Sequence, residues 1–186
     1  FRMSNLIHCQ NISKSYGTQT LFTGINFGVD EGDRVGIVGP NGSGKSTFLK
    51  IICKLTDFDE GTINRKKFLR MNYLAQEDRF PEGAKVEDVL FSALDGDELK
   101  ESEKFQRVHA MLSRAEFSDA GVAVASLSGG WSKRLAICKA LVSRPDILVM
   151  DEPTNHLDIE GIVWLEKMFS GGFHGAPLSF VIVSHD

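Results

Sequence analysis

The sequence predicts an α/β fold with a mostly parallel core sheet, an N-terminal antiparallel β subdomain and a small helical subdomain. Three observations carry this expectation. Residues 35–38 run apolar on both faces, and the short wholly apolar runs 147–150 and 180–183 suit buried parallel strands. Helical stretches separate those runs, the pattern of a parallel sheet covered by helices. Ile25, Phe27 and Val29 alternate with polar or small residues, which suits a half-exposed antiparallel strand.

The elements follow in order. The first 40 or so residues read as strands, and a helix opens at about Thr47. Strands recur around Thr62-Ile63 and from Met71 to Leu74. The stretch from Val86 to Phe117 is rich in Glu, Lys, Leu and Ala, with Phe105, Val108, Leu112 and Ala115 at helical spacing. It predicts a helical subdomain over residues 77–126, with a turn at Asp95-Gly96-Asp97, set between core segments 1–76 and 127–186. Leu135, Ile137, Cys138, Leu141 and Val142 mark a further helix that stops before Pro145.

Composition narrows the class. The 186 residues suit one domain, or one domain with a subdomain. At 42% hydrophobic and 25% charged, the chain reads as globular with a sizeable core. Its 21 basic and 25 acidic residues leave a net charge of −4, which gives no support for a broad nucleic-acid-binding face. Three widely spaced cysteines, with no CxxC pair, argue against a disulfide framework or a thiolate metal site and favour a reducing, cytoplasmic setting. No apolar run approaches the roughly 18 residues that a membrane helix needs.

Gly39-Pro40-Asn41-Gly42-Ser43-Gly44-Lys45-Ser46-Thr47 fits the pattern GxxxxGK[ST], between an apolar strand and a helix. Glycines let the backbone curl so that successive N–H groups face inward around phosphate oxygens. The helix N-terminus adds partial positive charge. Lys45 is placed to reach the β- and γ-phosphates, and the Ser46 hydroxyl to ligate Mg²⁺. The expected ligands are therefore a nucleoside triphosphate and Mg²⁺.

Asp151-Glu152 closes the apolar run 147–150. Two carboxylates at the end of a buried strand need compensation, because an unpaired buried charge is costly. Mg²⁺ beside a triphosphate supplies it: Asp151 as metal ligand, Glu152 as general base for the attacking water.

Leu127-Ser128-Gly129-Gly130-Trp131 resembles the signature motif of ATP-binding cassette (ABC) ATPases, and the resemblance covers essentially the whole chain. It implies a P-loop NTPase cassette. It also implies roles for single residues. Tyr16 sits where the family stacks an aromatic residue on adenine. Gln76 matches the Q-loop glutamine that approaches Mg²⁺ and the attacking water. Asp158 matches the D-loop aspartate, and His185 the switch histidine that contacts the γ-phosphate. Ser128, Gly129 and Gly130 open a helix whose N–H groups form an anion site for the ATP of a partner cassette. Ser170-Gly171-Gly172 lacks the preceding Leu and reads as a loop.

Two departures from the transporter pattern point to a branch. Trp131 stands where transporter cassettes usually have Gln, and Asn155-His156 where they carry Ser or Ala. Asn155-His156 is similar to the ABC-F type, whose members hold two cassettes in one chain and act on ribosomes in translation, and Trp131 with the run Asp158-Ile159-Glu160 is similar to the first cassette of that group. The resemblance implies a second cassette as partner and a ribosome or rRNA as target. The alternative is the ATP-binding subunit of a membrane transporter. First cassettes of the ABC-F group usually insert a helical arm between Q-loop and signature, and the short interval from Gln76 to Leu127 leaves no room for a long one. Family cassettes continue past the switch histidine, so a longer protein is expected beyond Asp186.

Overall fold

The structure, a computed structural model, describes residues 4–170 and 178–184. By contact the chain divides into two compact units. Of the described residues, the first comprises 4–73, 145–153 and 178–184, and the second 74–144 and 154–170.

In the first unit β1 (Asn5–Tyr16) turns through Gly17 into β2 (Gln19–Asp30) and pairs antiparallel with it. Its other edge pairs antiparallel with β4 (Glu60–Arg65), giving the order β2-β1-β4. Ile25 and Phe27 are half-buried and Val29 is buried, as their alternation requires. The second sheet has the order β3-β7-β6-β5, from β3 (Arg34–Ile37), β7 (Ser179–Val183), β6 (Ile147–Asp151) and β5 (Met71–Leu74). β7 lies between β3 and β6 and runs parallel to both, with Val181 opposite Val35 and Val149. The non-adjacent order in sequence demands crossovers, and α1 (Lys45–Ile52) lies on one of them. Every residue of β6 is buried, so it reads as a continuous apolar run rather than an alternation. Phe48, Leu49, Ile51 and Ile52 of α1 enter one core with Leu6, Ile7, Ile12, Val149 and Val181.

The second unit is helical: α2 (Val86–Ser92), α3 (Glu101–Arg114), α4 (Gly129–Val142) and α5 (Ile159–Ser170). The span 77–126 holds α2, α3 and a short 3-10 turn at Val124–Ser126, and by contact α4 and α5 belong to the same unit. α3 differs from its expected face. Val108, Leu112 and Ala115 are buried, but Phe105 is 56% exposed and lies against His109, ring centroids 4.0 Å apart. Met111 completes the buried stripe. Position 105 lies a turn ahead of that stripe, at the exposed start of the helix. α5 is a helix that the sequence reading lacks. It buries Trp164, Leu165 and Met168, and the Trp164 indole donates to the Arg114 carbonyl at 3.1 Å. No described helix is long and apolar enough to cross a membrane.

Candidate nucleotide-binding site

In the first unit the chain leaves β3 at Ile37 and enters α1 at Lys45. Between them Gly42 and Gly44 take φ of 76° and 90°, the left-handed region that an L side chain resists. Gly44 is the N-cap of α1. A Cβ there would stand 2.9 Å from Cδ1 of Phe22 and 3.3 Å from Cβ of Leu21. Phe22 cannot retreat freely, because its ring meets Phe48 edge-on at 5.9 Å. The loop is thus tied to the first turn of the helix through backbone shape and ring packing. At the other end of α1 the Arg65 guanidinium donates to Ile51 O and Ile52 O, each at 3.0 Å, and satisfies the terminal carbonyls.

Lys45 folds back over the loop. Its ammonium donates to Gly39 O at 2.6 Å and Pro40 O at 2.9 Å. Loop carbonyls therefore hold a cation at the mouth of a helix N-terminus. Gly39, Pro40, Asn41, Gly42, Ser43, Gly44, Lys45, Ser46 and Thr47 form one continuous strand–loop–helix segment, as the motif predicts.

β6 delivers the carboxylates. Asp151 is 2% exposed. Its Oδ1 accepts from the Ser46 hydroxyl at 3.0 Å and its Oδ2 from the Tyr73 hydroxyl at 3.1 Å. Burial, then the neighbouring Asp151 charge, push the Tyr73 hydroxyl well above the usual tyrosine range. Tyr73 therefore stays a hydrogen-bond donor and fixes the carboxylate. Glu152 is 6% exposed with φ of 50°, and its N–H donates to Val183 O at 2.9 Å. That unusual backbone turns the chain sharply at the strand end.

The donors at Ser46 and Asp151 are all oxygen, the chemistry a hard cation such as Mg²⁺ takes. Among the described residues no group of three or more His, Cys, Asp or Glu is arranged to hold a metal ion. Two oxygen ligands fit an ion that arrives with phosphate oxygens and water completing its shell. Tyr16, at the end of β1, is 54% exposed, with the Lys14 ammonium 5.3 Å from its ring centroid.

The second unit holds the other candidates. Ser128 caps α4, its Oγ accepting from Trp131 N–H at 3.4 Å. A Cβ on Gly130 would lie 3.2 Å from His156 O, so the turn packs closely on the 154–158 segment. The Trp131 ring lies tilted against Phe117, centroids 5.1 Å apart, with the Arg134 guanidinium 4.7 Å from the Trp131 ring centroid. Asp158 Oδ1 accepts from Gly161 N–H at 2.8 Å and so caps the start of α5. Gln76 is joined to α4 through its backbone: the Lys133 ammonium donates to Gln76 O at 3.0 Å. His185 lies outside the described residues. Sequence reasoning missed Tyr73, Arg65, Lys133 and Asp78. Each acts through a partner distant in sequence.

A glycine-bent loop between a parallel strand and a helix, with a serine hydroxyl on a strand-end carboxylate, defines a phosphate-loop α/β domain. The chain belongs to the ABC transporter family, whose profile matches residues 22–155. It is 34% identical to the uncharacterized ABC transporter ATP-binding protein YfmR of Bacillus subtilis, covering 98% of this chain and 34% of that protein. It is 38% identical to the ATP-binding protein Uup of Buchnera aphidicola, covering 98% and 30%. With ABC transporter F family member 2 of Arabidopsis thaliana it shares 32%, over 99% and 33%. The chain thus spans about a third of the length of these relatives. The match to YfmR runs over 217 residues, more than this chain's 186, so YfmR is longer within the matched span. Among solved structures it resembles the ATP-binding cassette MJ0796, a dimer in a post-hydrolysis state with ADP and Pi. The TM-score is 0.82 at 26% identity, covering 97% of this chain and 88% of that one.

Proposed function

We propose that the chain is an ATP-binding and ATP-hydrolysing cassette that works as half of a cassette pair, in a cytoplasmic two-cassette protein of the ABC-F type. The observation that carries this reading is the loop between β3 and α1 with Ser46 against Asp151 at 3.0 Å. Backbone N–H groups of residues 41–47 cradle the triphosphate, and Lys45 exchanges the Gly39 and Pro40 carbonyls for β- and γ-phosphate oxygens. Ser46 and Asp151 hold Mg²⁺, which supplies neutralisation of phosphate charge. Glu152 accepts a proton from the attacking water, Gln76 orients that water, and His185 contacts the γ-phosphate. Tyr16 carries the adenine ring. Ser128, Gly129 and Gly130 present the N-terminus of α4 to the ATP of the partner cassette. Closure is favoured while ATP contacts both faces, and loss of the γ-phosphate removes the charge that holds them together.

Asn155-His156 and Trp131 support the ABC-F branch, as does likeness to an ABC transporter F family member and to elongation factor 3 of Pneumocystis carinii (31% identical over 98% of this chain). Sedimentation of the full-length protein with ribosomes tests the branch. Co-pelleting that rises with ATP and is lost in a Lys45→Ala variant is expected. ATP-independent recovery in the membrane fraction with no ribosome pelleting would instead favour a transporter subunit.

A further inference from the structure

α4 carries a charge where a helix core should have none. Lys133 is 0% exposed, one turn into the helix that Ser128 caps. A buried ammonium needs full compensation. Here its three donors find Asp78 Oδ2 at 2.9 Å, Gln76 O at 3.0 Å and Ala75 O at 3.3 Å. Asp78 is itself 12% exposed. Ala75 and Gln76 lie outside any helix or strand, in the segment that follows β5. A side chain from α4 therefore holds their carbonyls. A third segment joins them, because His156 O lies 3.2 Å from a Cβ built on Gly130. Burial pushes the Asp78 carboxyl up, and Lys133, then His156, pull it back.

Replacing a buried ion pair with apolar residues is often neutral or stabilising, so stability alone gives little reason to bury one here. Position gives a better reason. We propose that Lys133 is a positioning residue: paired with Asp78, it clamps the backbone of Gln76 to the helix opened by Ser128, Gly129 and Gly130. The glutamine assigned to one ATP and the turn assigned to the partner's ATP then move as one piece. The inference rests on the nucleotide roles proposed above for Gln76 and the 128–130 turn.

The test uses the full-length protein with Lys133→Met, Asp78→Asn, Lys133→Arg and the Lys133→Met/Asp78→Asn pair. It measures kcat and KM for ATP, the affinity for an unhydrolysable ATP analogue, and near-ultraviolet circular dichroism. A misplaced Gln76 lowers kcat about tenfold or more in either single variant, while analogue affinity stays within about twofold. The double variant falls no further than the worse single one, because the two residues form one unit. Lys133→Arg, which keeps charge and donors, recovers most of the lost kcat. Where Lys133→Met fails to fold, Asp78→Asn decides. Folded variants with lowered melting temperature and wild-type kcat overturn the clamp and leave a structural pair. Wild-type protein that takes up no analogue overturns the nucleotide reading and this inference with it, whereas wild-type binding with indifferent variants overturns the clamp alone.

Discussion

Alanine at position 44 meets two obstacles that alanine at position 42 meets only in part. Both glycines hold positive φ, 90° and 76°, and an L residue there is strained by about 1–2 kcal/mol. At Gly42 nothing lies within 4 Å of an added Cβ, so strain is the whole effect. At Gly44 the same methyl also stands 2.9 Å from the Phe22 ring, which is braced by Phe48. Forced overpacking of this kind adds about 1–3 kcal/mol. Stiffening of the unfolded chain offsets about 0.4–1 kcal/mol in each variant and cancels between them. Gly44→Ala is therefore expected to be less stable than Gly42→Ala by about 1–3 kcal/mol, and α1 is where the difference appears. Hydrogen exchange at the amides of Phe48 to Ile52 reads it locally: a faster rate in Gly44→Ala, by about 5- to 150-fold over Gly42→Ala. Equal exchange in the two variants, or wild-type exchange in Gly44→Ala, refutes the packing of this loop on Phe22.

Two further outcomes follow from the same geometry. Glu152→Gln keeps the volume of the side chain and removes the carboxylate proposed as base, so the full-length protein should bind ATP with near wild-type affinity and turn it over about a hundredfold more slowly. Phosphate release at the wild-type rate would take Glu152 out of that role. The thiols report on the core: burial lifts Cys9 to about 11, and Cys53 and Cys138 to about 12, against the opposing charge of Arg65 at the first two and Arg134 at the third. The native state thus holds these protons more tightly than the unfolded chain. The stability they contribute is complete below the unfolded thiol pKa and is lost as pH rises toward 11–12. Iodoacetamide at pH about 8 should label none of the three in the native protein within the time that unfolded protein reacts fully, read by peptide mass spectrometry. Fast native labelling of Cys9 or Cys138 would contradict their burial in the core.

What the sequence made legible was local. The phosphate loop could be read because its function needs particular residues at consecutive positions, and backbone shape follows from them. β6 could be read because a strand buried on both faces must be apolar throughout, and Asp151-Glu152 stands out at its end. Phe105 was misread because helical spacing puts it in line with Val108 and Leu112 but cannot show that the first turns of α3 stay exposed. Tyr73, Arg65 and Lys133 were illegible for a different reason. Their roles come from partners 78, 13 or 14, and 57 residues away in the chain. A lysine within a helix reads as a surface residue until the fold brings Asp78 and the Gln76 carbonyl to it. His185, legible by resemblance, lies outside the described residues.

The central claim is that the backbone from Gly39 to Thr47 is a receptor for the phosphates of ATP, with Lys45 as its cation. Calorimetric titration of a magnesium-bound, unhydrolysable ATP analogue into folded full-length protein tests it against Lys45→Ala. Because loss of a charge-assisted hydrogen bond is worth about 1.5–3 kcal/mol, the variant should bind roughly 10- to 150-fold more weakly. Where a second cassette also binds, the weakening should appear at one site of two. Undiminished uptake by Lys45→Ala, or no heat from the wild-type protein, would contradict the account.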